Sequence, residues 1–235
     1  MGSDPNTCAV MLEPIQGEGG IIIPQDGYLA KVKAICEKHN CLLIADEVQT
    51  GFGRTGSLMG YEHDMPGDKP HILTLAKSIS GGVTPTSGIL ADDAVMMEIK
   101  AGEHGSTYGG NPLSMAVAKR AIEVLYEDKM IENSREMGAY LYSKTSKLNS
   151  PLLKEVRGRG MFQGIELKND LHVNGADLTK LMFSKGILSK STHDYCVRLT
   201  PALVINKSEI DAGVEIVEKS LQELEVINNE RSVKK

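Results

Sequence analysis

The chain has 235 residues, enough to bury a sizeable core in one large domain or two small ones. Its 41% hydrophobic and 24% charged residues are globular proportions and exclude a disordered chain. With 26 basic and 31 acidic residues the formal net charge is -5, which gives no global attraction to nucleic acid or an anionic membrane.

Taken in chain order, residues 1–5 form neither a signal peptide nor an Arg-rich transit peptide, so the expected compartment is the cytosol, or the mitochondrion if a leader is missing. Residues 8–12 (CAVML) make a first apolar run that closes at Glu13-Pro14, followed by the Gly-rich loop Gln16-Gly17-Glu18-Gly19-Gly20. Over 27–39, Leu29, Val32, Ile35 and Cys36 recur at helical spacing. Residues 41–45 (CLLIA) are a second buried strand, closing at Asp46-Glu47. A third, 72–76 (ILTLA), closes at Lys77, and 87–91 (SGILA) reads as a fourth. Asn111 followed by Pro112 is an N-cap with proline at the first helical position, opening a helix to about residue 126.

Beyond residue 128 the texture changes. A helix is expected over 131–148, short strands near 161–167 and 195–199, and a last helix from about 209 with Ile210, Val214, Val217, Leu221 and Leu224 on one stripe. After Glu225 the chain reads as a polar tail. Alternating buried strands and helices predict an α/β protein with a largely parallel sheet, residues 1–128 forming one domain and 129–235 a smaller α+β domain. No apolar run approaches the ~20 residues of a membrane-spanning helix. Cys8, Cys36, Cys41 and Cys196 form no CxxC pair and read as buried thiols of a reducing compartment, not a disulfide frame or zinc site.

Glu13, Asp46 and Lys77 each close an apolar run. Ligands of open parallel sheets gather at the carboxyl ends of the strands, where a desolvated charge must be paired or functional. Each could instead be the first solvated residue after a strand, but three on neighbouring strands favour a site. Burial at the mouth of a strand can lower a lysine pKa and make Lys77 a nucleophilic amine. A carboxylate such as Asp46 is suited to holding a protonated ring nitrogen, and lysine with acid is a pyridoxal phosphate (PLP) constellation. Residues 102–112 place glycines, Ser106 and Thr107 ahead of a helix N-terminus, where they could hold a phosphate or form an ordinary capped turn. Arg198 is either a bidentate partner for a substrate carboxylate or half of a structural ion pair. Walker A, strand-linked GxGxxG, HExxH and GxSxG patterns are absent and the six histidines are scattered, so no metal is expected.

Residues 43–56 (LIADEVQTGFGRTG) resemble the signature of the class III, ornithine-type aminotransferases, PLP enzymes of fold type I. Residues 13–18 (EPIQGE), 77–82 (KSISGG) and 104–112 (HGSTYGGNP) match further blocks of that family in order, and 192–194 with 198–201 resemble its ornithine branch. The resemblance implies that Lys77 links covalently to the cofactor and shuttles a proton, that Asp46 pairs with the ring nitrogen, and that Gln49 lies beside the phenolic oxygen. It implies that Ser106 and Thr107 bind phosphate in a neighbouring subunit's site, making a homodimer or higher oligomer. Arg198 would bind a substrate carboxylate and Glu18 would mask that arginine. Ala76 and Ala202 depart from the glycine and proline common there. The chain resembles only about the C-terminal half of the family, so the implied fold is an incomplete large domain plus a small C-terminal α+β domain, with strand edges and apolar helix faces left exposed. The implied activity is δ-amino transfer from ornithine to 2-oxoglutarate. Acetylornithine or 4-aminobutyrate aminotransferase, and a non-catalytic truncated paralogue that binds a full-length subunit, are the alternatives.

Overall fold

The structure, a computed structural model, describes Asp4 and residues 6–233; the reading of residues 1–5 otherwise lies outside the described residues. It divides into two compact units, Met1–Ile15 with Pro24–Ile131, and Gln16–Ile23 with Glu132–Lys235.

The first unit is built on a sheet ordered β1 (Ala9–Leu12), β2 (Leu42–Asp46), β3 (Ile72–Leu75), β4 (Gly88–Ala91). The first three strands run parallel, with Ala9 opposite Leu42 and Asp46 opposite Thr74. β4 returns antiparallel, Thr74 facing Ile89. This departs from the parallel expectation because the link from Ala76 to Ser87 holds a 3-10 turn and no crossover helix. Helix α1 (Tyr28–Lys38) buries Leu29 and Cys36 against Cys41, Leu43 and Met65. Its N-cap is Gly27, with φ +77° and no capping side chain. Asp64 takes that role from a distance, accepting from the Gly27 N–H and, at 2.5 Å, the Leu29 N–H. The carboxylate also complements the positive end of the helix dipole. After the four-residue α2 (Asp93–Met96), α3 (Pro112–Glu127) opens as its sequence suggests, with Asn111 Oδ1 accepting from the Ser114 N–H at 2.9 Å.

The second unit is an antiparallel sheet ordered β5 (Leu153–Arg159), β6 (Phe162–Leu167), β8 (Cys196–Leu199), β7 (Lys190–Thr192). With it go α4 (Met130–Thr145, of which Glu132 onward belongs here), α5 (Gly175–Ser184) and α6 (Lys207–Val233). Ile165, Leu167, Leu178, Met182, Val197 and Leu221 are buried in its core. α4 crosses the β5–β6 turn so closely that a Cβ on Gly138 would stand 2.3 Å from the Gly160 carbonyl carbon. The buried Gln163 amide donates to both carbonyls there, Gly138 at 2.7 Å and Gly160 at 2.9 Å. The polar stretch after Glu225 is not a separate tail. It is the last part of α6, held by Arg231 on Asp177 (2.8 Å) and by the His172 N–H donating to Asn228 (2.9 Å).

All four cysteines are free. Cys36, Cys41 and Cys196 are buried, and burial pushes the Cys36 and Cys196 thiols up. Cys8 corrects the expectation: it precedes β1 by one residue and is exposed. Among the described residues no helix is long and apolar enough to cross a membrane, and no group of three or more metal-ligating side chains comes together.

Candidate active site

The parallel register puts the carboxyl ends of β1, β2 and β3 along one sheet edge, which gathers Glu13, Asp46 and Lys77 there. Asp46 ends β2 and is half-buried. Its Oδ1 accepts from the Val48 N–H at 3.0 Å and the Thr74 hydroxyl at 3.1 Å. Both donors fall on one oxygen, which fixes the carboxylate while Oδ2 takes no hydrogen bond from the described residues. Gln49 follows in the turn after β2, also half-buried.

Lys77 is set by an abrupt change of backbone. Ala76 is extended (φ -159°, ψ -159°), then Lys77 turns to φ +46° and opens a 3-10 turn, Lys77–Ser80. Gly81 (φ +62°) and Gly82 (φ +80°) follow in conformations that side chains resist. The buried Ser80 donates to the Thr84 carbonyl at 2.5 Å and closes the loop. The expected burial of Lys77 is corrected: the turn carries it off the strand and it is exposed in this chain.

Glu47, next to Asp46, has a structural part that its sequence neighbours do not reveal. It is fully buried. Oε2 accepts from the Thr50 hydroxyl (2.5 Å) and the Gly60 N–H (2.8 Å), and Oε1 from the Tyr61 N–H (2.7 Å). Burial pushes its pKa up against the pull of those three donors. It staples the long loop after β2 that carries Gln49. Gly60 is obligatory there, since a Cβ would lie 2.7 Å from the Thr50 Cβ. Ser106 and Thr107 stand on an exposed loop whose hydrogen bonds are local, the Gly109 N–H donating to Ser106 Oγ at 2.9 Å.

In the second unit, Arg198 on β8 donates to Glu18 Oε1 at 2.8 Å. Glu18 belongs to Gln16–Ile23, which β7 and β5 hold by its backbone. Thr192 Oγ1 donates to the Glu18 carbonyl at 2.5 Å, and Arg157 Nε donates to the Gly20 and Ile21 carbonyls at 3.0 Å each. Ile21 adopts φ +57°, costly for a β-branched residue, and is wholly buried over Gly164 of β6. Lys190 adds a second cation at 3.2 Å from Glu18 Oε2. These cations hold the Glu18 carboxyl below its ordinary range, the Lys190 hydrogen bond being the largest cause. No local sequence signal could have found Lys190, because 172 residues separate it from its partner.

The structure thus brings Asp46, Gln49 and Lys77 to one sheet edge and pairs Glu18 with Arg198. The family model for Aminotransferase class-III matches residues 2–221. The chain belongs to the class III aminotransferases. An ornithine aminotransferase of Plasmodium falciparum is 47% identical over 93% of this chain and 53% of its own length. The structure of the Toxoplasma gondii ornithine aminotransferase, in which PLP partly occupies the active site, superposes with a TM-score of 0.90 at 40% identity, covering 97% of this chain and 53% of that one. An acetylornithine aminotransferase of Elizabethkingia anophelis superposes with a TM-score of 0.85 at 41% identity, covering 92% and 54%. The fold is that of a class III aminotransferase in part, an incomplete fold type I transferase. The chain spans about half the length of the curated relatives it matches.

Class III aminotransferases are PLP-dependent, and the residues present fit that cofactor on one structural observation. Asp46 is held by donors on Oδ1 alone, so Oδ2 can accept from a protonated ring nitrogen.

Proposed function

We propose that the chain carries the C-terminal half of an ornithine δ-aminotransferase, which moves the δ-amino group of ornithine to 2-oxoglutarate. When bound, PLP supplies an electron sink for the carbon that loses its proton. Lys77 is the covalent anchor, and its amine would take the proton from that carbon and deliver it to the cofactor's C4′ carbon, so that the substrate carbon ends without it. Asp46 keeps the ring nitrogen protonated, and Gln49 orients the ring from its phenolic side. Ser106 and Thr107 are phosphate ligands for a second subunit, so the active form is a dimer or higher oligomer. Their exposed loop supports this role.

The observation that carries the reading is the Arg198–Glu18 pair at 2.8 Å. Arginine matches a carboxylate in two parallel hydrogen bonds. An amine donor that reacts through its far end does not need that arginine beside the reacting carbon, and Glu18 neutralises it. A 2-oxo acid that reacts next to its carboxylate does need it, and Glu18 must then withdraw.

The test is amino transfer to 2-oxoglutarate by the PLP-treated chain, alone and co-expressed with the N-terminal half of a full-length relative. Ornithine, N-acetylornithine and 4-aminobutyrate serve as donors. Ornithine is expected to be the best donor in the complemented form. Preference for either other donor would move the specificity. Inactivity in both forms, with both folded, would favour the non-catalytic paralogue.

A further inference from the structure

Arg198, Lys190 and Glu18 present two cations to one carboxylate. Glu18 uses a different oxygen for each, Oε1 on Arg198 at 2.8 Å and Oε2 on Lys190 at 3.2 Å. The surroundings of the two cations differ. The Arg198 side chain is 14% exposed, whereas those of Lys190 and Glu18 are 64% and 56% exposed. The Glu18 backbone is fixed meanwhile by Thr192, two residues along β7 from Lys190. One short strand therefore holds Glu18 at its main chain and at its carboxylate.

We infer that Lys190 is a positioning residue that holds Glu18 when Glu18 releases Arg198. The inference rests on the transaminase reading for the arriving ligand, a 2-oxo acid carboxylate. The three side chains sum to one positive charge, and a substrate carboxylate brings them to zero. Glu18 can rotate off Arg198 while Oε2 stays on Lys190, so its charge keeps a partner in the released state. Like-charge repulsion between Lys190 and Arg198 also weakens the state in which one carboxylate serves both. Without Lys190, Glu18 loses the cation on Oε2 that holds it in the released state, and Arg198 stays masked longer. Thr192 limits the motion to the side chain.

The experiment reads Arg198 availability without turnover. The purified chain reacts with an arginine-specific dicarbonyl reagent, and the rate at Arg198 is followed by peptide mass spectrometry. Glu18→Gln is expected to speed modification and Lys190→Met to slow it roughly two- to fivefold, the size of an exposed ion-pair effect. Lys190→Arg should restore the wild-type rate. In the Glu18→Gln background Lys190→Met should change nothing, because Lys190 acts only through Glu18. Raising the salt to about 1 M should erase the Lys190 effect, since exposed pairs are screened there.

An unchanged or faster rate in Lys190→Met, or the same slowing in the Glu18→Gln background, would overturn the proposal. A second arm adds 2-oxoglutarate. Protection of Arg198 supports the carboxylate-binding reading, and absence of protection in Glu18→Gln contradicts it. The two readings therefore fail on different measurements.

Discussion

Lys77 at φ +46° is a non-glycine residue in left-handed backbone, a conformation that costs about 1 kcal/mol and persists only where its surroundings hold it. Here Ser80 and the two glycines after it supply that hold. At the end of β2 the acidic pair divides two tasks between adjacent residues. Asp46 points a fixed carboxylate at the sheet edge, and Glu47 turns inward to three donors. Alternation along a strand accounts for their opposite directions, but which of the two is structural depends on Gly60 and Tyr61, which no local pattern connects to them. Glu47 gives a pH signature. Its pKa is raised in the folded state, so its contribution to stability is fully present below the ordinary glutamate value and is lost as pH rises through the folded value. Glu47→Gln should remove that downward trend. Thermal melts from pH 4 to 7 should show the wild type losing stability relative to the variant as pH rises, and parallel curves would contradict the assignment.

At the scale of elements, the strands and helices whose apolar residues follow a clear period were legible in the sequence. These include β1 to β3, α1, α3 and the stripe of α6. Those that rest on distant partners were not. β5 (LKEVRGR) is mostly polar, β7 has three residues, and the antiparallel sense of β4 is set by a link with no helical period. α5 did carry a signal in its capping box, Asn174 with Asp177. The N-terminus of α1 shows the limit of local reading. Gly27 offers no cap, and the acceptor for its first turn is Asp64, 35 to 37 residues on. Asp64→Ala should cost about 1–2 kcal/mol, the usual loss for a helix cap, and lower the urea midpoint. A midpoint unchanged within error would mean that water replaces the carboxylate at no cost.

At the scale of the molecule, the first unit carries the residues that would handle the cofactor and the second those that would handle a carboxylate. Chemistry alone singled out Lys77, Asp46 and Arg198 from the sequence. Ser106 and Thr107 stood out as a phosphate-loop candidate, and only their role in a neighbouring subunit, like the roles of Glu18 and Gln49, came from the resemblance. The grouping of Gln16–Ile23 with the second unit was not legible, because it depends on Thr192 and Arg157 reaching back across the chain. The first unit also displays what half of a larger sheet should display. β4 is exposed along most of its length, and Val83, Met97, Leu113 and Tyr108 (81% exposed) lie open in the same stretch. Such a surface suits a further chain, either a second copy or the remaining half of the fold.

If the chain is an aminotransferase half as proposed, Lys77 is its covalent cofactor position. The most direct measurement incubates the folded chain with PLP, reduces it with borohydride and maps the modified lysine by mass spectrometry. Lys77 should be labelled in preference to the other lysines, with Asp46→Asn lowering its yield and Lys77→Ala abolishing the specific label. A folded sample labelled evenly over its surface lysines, or at a single lysine other than Lys77, would contradict it.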